Sequence, residues 1–190
     1  MKVLNLYAGI GGNRKLWEDV EVVAVENNPK IAKIYQDFFP KDKVITCDAH
    51  WYLLNYFKEF DFIWSSPPCP THSGCNTFLH AQGVVRYPDM ALWQEIVFLK
   101  YWCKKKWVVE NVKSFYPPLW PPQQIGRHYF WCNFLIYPYK GKSLKIGRFG
   151  PTKKGRTDIK QKILRNRVEP ELGLHILNES KRDIQGDLFR

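Results

Sequence analysis

The sequence predicts an α/β fold of the doubly wound kind: one domain with a mostly parallel sheet, helices on both faces and a late antiparallel hairpin. Three observations lead there. Short β-branched or aromatic runs alternate with helix-period stripes, 190 residues suit a single core, and polar or unusual residues gather where each run stops. "KVLNLY" (2–7), "VEVVAVE" (20–26), "KVITCD" (43–48), "FDFIWSS" (60–66) and "KKWVVENV" (105–112) read as strands buried on both faces. Ile31, Ile34, Tyr35 and Phe38 fall at i, i+3, i+4 and i+7. Met90, Trp93 and Val97 repeat the stripe in "DMALWQEIVFLKYW", with Asp89 placed to cap it after Pro88. "YPPLWPPQQ" (116–124) reads as a rigid loop, "HYFWCNFLIYPY" (128–139) as a late strand or hairpin, and "VEPELGLHILNESKRDIQ" (168–185) as a helix packed on the core. The expected organisation is a core over 1–139, a basic loop over 140–167 and a helical tail over 168–190.

Composition bounds the function classes. With 45% hydrophobic residues, 16% aromatics and only short apolar runs, the chain reads as soluble and globular, with no membrane partner. No basic stretch followed by an apolar segment opens it, so the expected compartment is the cytoplasm. Five irregularly spaced cysteines point to reduced thiols and not to a disulfide framework. The net charge of +11 is concentrated: between Lys140 and Arg167 stand eleven Lys or Arg and one acid, Asp158, a local charge of +10. Such a run is either a solvated face or a segment that releases counterions from a polyphosphate backbone; the interleaved glycines favour the second.

The strand ends carry the chemistry. "YAGIGG" (7–12) follows the first strand, and its glycines permit positive φ and close ligand approach ahead of a helix. The second strand stops at Glu26, placed to accept from ribose hydroxyls, and the third at Cys47 and Asp48, where Asp48 faces an adenine amino group or caps a helix. The fourth runs into "SSPPCPTHSG" (65–74), where Pro67 and Pro68 stiffen the approach to Cys69. Cys69 is there either a buried hydrophobe or a nucleophile; Glu110, at the end of the fifth strand, favours the nucleophile with an acid partner beside it.

"LNLYAGIGGNRKLWED", "VVAVENNPKIAKIYQDFFP", "CDAH", "SSPPCPTHS" and "VVENV", in this order, resemble motifs of the cytosine 5-methyltransferases that use S-adenosylmethionine, over roughly residues 2–139. The resemblance implies a Rossmann-like methyltransferase domain. It implies that Tyr7, Gly9 and Gly11, with Ala8, Ile10 and Gly12 of the same loop, cradle the methionine part of S-adenosylmethionine. Glu26 would hold the ribose, Asn27 and Asp48 would flank the adenine, and Ala49 and Pro67 would complete the cofactor site. Cys69 would attack carbon 6 of cytosine while protonated Glu110 bonds ring nitrogen 3, on a base flipped out of the duplex. Ser73, Arg148, Lys153, Lys154 and Arg156 are the expected nucleic-acid contacts.

The chain departs from the family at several points. Pro70 stands where Gln usually follows the cysteine, and "IGRHYFW" replaces the two spaced arginines, so Arg127 or His128 takes over that contact in shifted form. No target-recognition domain or Gly-Asn-Ser tail motif is evident, which leaves a monomer or a partner that supplies recognition. DNA, in a setting such as restriction-modification, is the expected substrate; RNA, or a non-catalytic DNA-binding remnant, is the rival. Cys69, His72 and Cys75 have a zinc-compatible spacing that would consume the nucleophile, so no metal is expected. Cys47, Cys103 and Cys132 read as core, and Trp51 or Trp64 as possible adenine contacts.

Overall fold

The computed structural model describes residues 1–139, 141 and 168–182. Arg148, Lys153, Lys154 and Arg156 of the basic loop lie outside the described residues. The strands are β1 (Lys2–Leu6), β2 (Glu21–Val25), β3 (Lys43–Ile45), β4 (Phe62–Ser65), β5 (Lys106–Val112), β6 (Gln123–Ile125) and β7 (His128–Cys132). The helices are α1 (Pro29–Phe38), α2 (Ala49–Tyr56), α3 (Cys75–Ala81), α4 (Ala91–Trp102) and α5 (Pro170–Lys181). One seven-stranded sheet runs β3-β2-β1-β4-β5-β7-β6. Its first five strands are parallel, and β7 and β6 close the edge antiparallel. This is the doubly wound, Rossmann-like arrangement.

Alternation along each strand sorts side chains between two cores. Leu4, Leu6, Ile63 and Val109 face α2 and α4, packing with Leu53, Ile96 and Leu99. Val3, Val22, Phe62, Trp64 and Val108 face the other side, where Leu172, Ile176 and Leu177 of α5 cover them. Ala24 meets Tyr35 of α1 on that second side. Helices therefore stand on both faces.

Several local expectations are corrected. No helix follows "YAGIGG": residues 8–20 form turns, pinned by Arg14, whose Nε and Nη2 donate to Asp42 at 2.9 Å each, and by Asn13, which donates to Asn5 at 2.9 Å. The buried stripe of α1 is Ala32 and Tyr35, whereas Ile34 and Phe38 are exposed. In α4 the buried face is Leu92, Trp93, Glu95, Ile96 and Leu99; Met90 and Val97 face out. Met90 is its cap position, although Asp89 Oδ1 still accepts the Ala91 amide at 3.0 Å. The hairpin forms within 123–132, around Gly126 at φ 58°, so the proline-rich stretch feeds a strand and β7 ends at Cys132. Trp64 is fully buried, with Nε1 donating to Ser66 at 2.8 Å, and cannot reach an adenine; Trp51 is exposed.

The C-terminal helix docks closely enough to be tested. A Cβ built on Gly173 of α5 would collide with the carbonyl of Asn13 in the β1–β2 connection. Gly173→Ala should gain up to about 1 kcal/mol of helix propensity yet lose about 1–3 kcal/mol to overpacking, because the obstacle is backbone. A lower urea midpoint is the expected result.

Candidate functional site

The parallel register is level at its carboxyl edge. Leu6 pairs with Val25 and with Ser65, and Ser65 pairs with Val109. The next residues are therefore neighbours in space: Tyr7, Glu26, Ser66 and Glu110.

On one side lies the glycine loop. Gly9 has φ 55°, and a Cβ there would meet open space; Gly11 has φ 77°, and a Cβ there would strike the rings of Phe39 and Tyr35. Ala8 is buried and donates to Val25 at 3.0 Å, while Ile10 and Gly12 are half-buried. Glu26 is 8% exposed and divides its carboxylate: Oε2 accepts the Gly9 amide at 3.1 Å and Oε1 the Asn28 amide at 2.9 Å. Asn27 is exposed between them. Asp48 is exposed and caps α2, accepting the Trp51 amide at 2.7 Å, with Ala49 buried behind it.

On the other side lies the cysteine loop. Pro67 is buried, and its carbonyl accepts Asn111 Nδ2 at 3.0 Å, so the residue after Glu110 holds the doublet that leads to Cys69. The Cys69 carbonyl accepts the amides of His72 at 3.0 Å and Ser73 at 3.1 Å, closing a turn around the thiol. His72 is 1% exposed; its Nδ1 meets Tyr116 Oη at 2.7 Å, and Tyr116 accepts Trp93 Nε1 at 3.2 Å. Burial pushes the His72 imidazole below its ordinary pKa, which suits a neutral latch. Ser73 bridges to Ser114, and its Oγ accepts the Cys75 amide at 3.3 Å. Among the described residues no three His, Cys, Asp or Glu are grouped to hold a metal, so Cys69, His72 and Cys75 are not gathered as ligands.

Glu110 and His128 form the polar centre. Antiparallel pairing sets Glu110 opposite Phe130 and Val112 opposite His128, so Glu110 and His128 are diagonal neighbours on one face. His128 Nδ1 lies 2.6 Å from Glu110 Oε1, with both residues buried. Arg127 Nε donates to His128 Nε2 at 3.1 Å, which leaves the ring proton on Nδ1, pointing at the carboxylate. Glu169, just ahead of α5, lies 3.7 Å from Arg127 Nη2 and 3.8 Å from His128 Nε2. The tail helix thus adds a second carboxylate to the cluster. Burial first, then the Glu110 charge, raises the Cys69 thiol above the ordinary cysteine range, and Arg127 opposes them. Cys132 is pushed up to about 12 by burial, Cys103 is raised by burial, and Cys47 is half-buried.

The family model for C-5 cytosine-specific DNA methylases matches residues 1–116. The chain belongs to this family. No curated protein matches this chain by sequence. Among solved structures, a hypothetical protein of Thermus thermophilus shares 16% identity over 69% of this chain and 73% of its own, with a TM-score of 0.44. DNMT2 of Spodoptera frugiperda shares 26% identity over 60% of this chain and 36% of its own, also with a TM-score of 0.44. The methyltransferase EhMeth of Entamoeba histolytica shares 18% identity over 59% and 38% of the two chains, with a TM-score of 0.40.

Sequence reasoning overlooked three residues that line or brace this candidate site. Asn111 was visible only as part of "ENV", Tyr116 only as the start of a proline-rich loop, and Glu95 as the lone carboxylate on the buried face of α4. Among the described residues no helix is long and apolar enough to cross a membrane.

The thiol's electrostatics give a direct test. Removing the Glu110 charge should lower the Cys69 pKa, so in Glu110→Gln the pH profile of Cys69 alkylation should move to lower pH. Arg127→Ala should move it the other way. Peptide mapping separates Cys69 from the exposed Cys75; unmoved midpoints in both variants would detach the two charges from the thiol.

Proposed function

We propose that this methylase transfers a methyl group from S-adenosylmethionine to carbon 5 of cytosine in DNA through a covalent adduct on Cys69. The observation that carries the reading is the pairing of a stiffly held thiol with a buried carboxyl group whose charge it senses, beside a glycine loop bonded to an acid.

The residues present suit an adenosyl donor. Open space at the left-handed Gly9 allows a ligand against the backbone, and Glu26 offers a carboxylate fixed by two amides to hydroxyls that approach. Tyr7, Ala8, Gly9, Ile10, Gly11 and Gly12 would line the methionine part, with Asn27, Asp48, Ala49 and Pro67 around the adenine. The donor supplies an electrophilic methyl group; all else falls to the protein and the base.

Cytosine carbon 5 is a weak nucleophile. When the Cys69 thiol gives its proton to water and its sulfur bonds carbon 6, Glu110, which takes up a proton as the base enters, bonds ring nitrogen 3 through it and lets carbon 5 react as an enamine. After methylation the carbon 5 proton passes to water, its electron pair restores the double bond to carbon 6, and the carbon–sulfur bond breaks with expulsion of the thiolate. The raised thiol pKa fits this order. Once Glu110 takes up a proton to meet ring nitrogen 3, the charge that raises the thiol is gone and Arg127 remains to favour the thiolate. His128 holds the Glu110 carboxyl in place through its Nδ1 contact at 2.6 Å. A duplex would have to surrender its base to the crevice. Ser73 and the basic loop, through Arg148, Lys153, Lys154 and Arg156, would hold the backbone.

Two measurements decide the reading. Calorimetry should find binding of the demethylated donor, and DNA carrying 5-fluorocytosine, which cannot lose a proton at carbon 5, should leave a denaturant-resistant adduct that depends on the donor. Cys69→Ser should abolish the adduct and Glu110→Gln should slow it by at least about a hundredfold, the scale of a lost general acid. Trapping through Cys75, or trapping of RNA only, would redirect the assignment; donor binding with no trapping in any sequence context would mark a non-catalytic remnant. If the basic loop contacts phosphates, neutralising Lys153, Lys154 and Arg156 together should flatten the salt dependence of DNA binding by up to about 0.9 per lost contact. An unchanged slope would return the loop to a solvated face.

A further inference from the structure

Glu95 is fully buried in α4, at the centre of a contact that the reaction above leaves unused. Its Oε1 accepts the Tyr7 hydroxyl at 2.5 Å and lies 3.4 Å from His50 Nδ1, and its Oε2 accepts the Ser65 hydroxyl at 2.5 Å. The three partners come from three separate segments of the crevice wall. Tyr7 begins the glycine loop beyond β1, Ser65 ends β4 just before the Pro-Pro-Cys turn, and His50 sits in the first turn of α2 behind Asp48.

The chemistry of this convergence is specific. Two hydroxyls donate to one side chain and an imidazole nitrogen lies beside it, and an ionised carboxylate is the group that only accepts. An amide there would turn an NH2 toward one of them. Tyr7 also has φ 54°, a left-handed conformation that a non-glycine residue keeps only when its surroundings hold it. Its hydroxyl bond to Glu95 is such a hold, and the next turn of chain depends on it: Gly9 presents its amide to Glu26 two residues on.

We propose that Glu95 is the positioning residue of the donor crevice, a buried clamp that locks Tyr7, Ser65 and His50 together and so sets the glycine loop, the Cys69 approach and the start of α2 in one geometry. The proposal rests on the donor reading above. Glu95 touches neither donor nor base in this scheme; it acts through Tyr7.

The test is a titration of S-adenosylhomocysteine into wild type, Glu95→Gln, Tyr7→Phe, Ser65→Ala and the Tyr7→Phe/Glu95→Gln double variant, with thermal melts on the same preparations. Glu95→Gln should raise Kd about tenfold, the scale of one charge-assisted hydrogen bond, and Tyr7→Phe severalfold. The double variant should bind no more weakly than Glu95→Gln alone, because both changes remove the same contact. In turnover, Tyr7→Phe, which loosens only the glycine-loop arm of the clamp, should raise the donor KM more than it lowers kcat. Should Glu95→Gln fail to fold, Tyr7→Phe, which deletes a single oxygen, carries the test. Variants that melt lower yet keep the wild-type Kd, or a double variant whose effects simply add, would overturn the clamp. A wild-type chain that binds no S-adenosylhomocysteine would overturn the donor reading and the clamp with it, an outcome distinguishable because no variant is then needed to see it.

Discussion

Parallel pairing at a common level is the constraint from which the rest of this molecule follows. Each parallel neighbour must be reached by a crossover, so every strand from β1 to β5 runs the same way and releases its chain at the same edge. Because Leu6, Val25, Ser65 and Val109 share one level, residues as far apart as Tyr7 and Glu110 open into one crevice. The two hydrophobic layers hold this register. A slip of one residue would turn Val3, Phe62 and Val108 toward the wrong helices.

Against that frame the antiparallel strand β7 performs a separate task. Running backwards, it carries His128 to Glu110 from the opposite direction, and the turn before it brings Arg127 to the imidazole. Glu169 then joins from the tail, which makes α5 part of the polar cluster as well as the cover of the second core. The three carboxylates that line or underlie the crevice are all buried, and each has its own partners: Glu26 two backbone amides, Glu110 an imidazole, Glu95 two hydroxyls and an imidazole. A buried charge left alone costs several kcal/mol, so these partners are a condition of folding as much as of chemistry. The Glu110 charge also helps hold the Cys69 thiol in its protonated form, so neutralising that carboxylate would ease loss of the thiol proton.

Much of this was readable beforehand, and the parts that were not share a cause. Five strand runs, their order and the residues at their ends stood in the one-dimensional pattern, because period-2 burial and the stiffness of Pro67 and Pro68 are local properties. The helix expected after "YAGIGG" failed because Arg14 finds Asp42 and Asn13 finds Asn5, contacts that satisfy a turn-rich loop with no local signature. The α4 stripe was drawn through Met90 and Val97 because a hydrophobic count passes over Glu95, which is as buried as Leu99. Trp64, offered as an adenine contact, proved to be core: its position in β4 is flanked on both sides by other strands, and hydropathy cannot tell a buried indole from an exposed one.

The sequence by itself determined the strand and helix types, the stiff presentation of Cys69, the acids at the second, third and fifth strand ends and the family likeness, since these depend on neighbours a few residues away. Only the tertiary structure decided which groups meet. Tyr7 and Glu95 are 88 positions apart, Pro67 and Asn111 are 44, and Glu110 and His128 are 18. Such pairs are chosen by sheet order, register and burial acting together: once water is excluded, a polar group must take the partner the fold brings within reach.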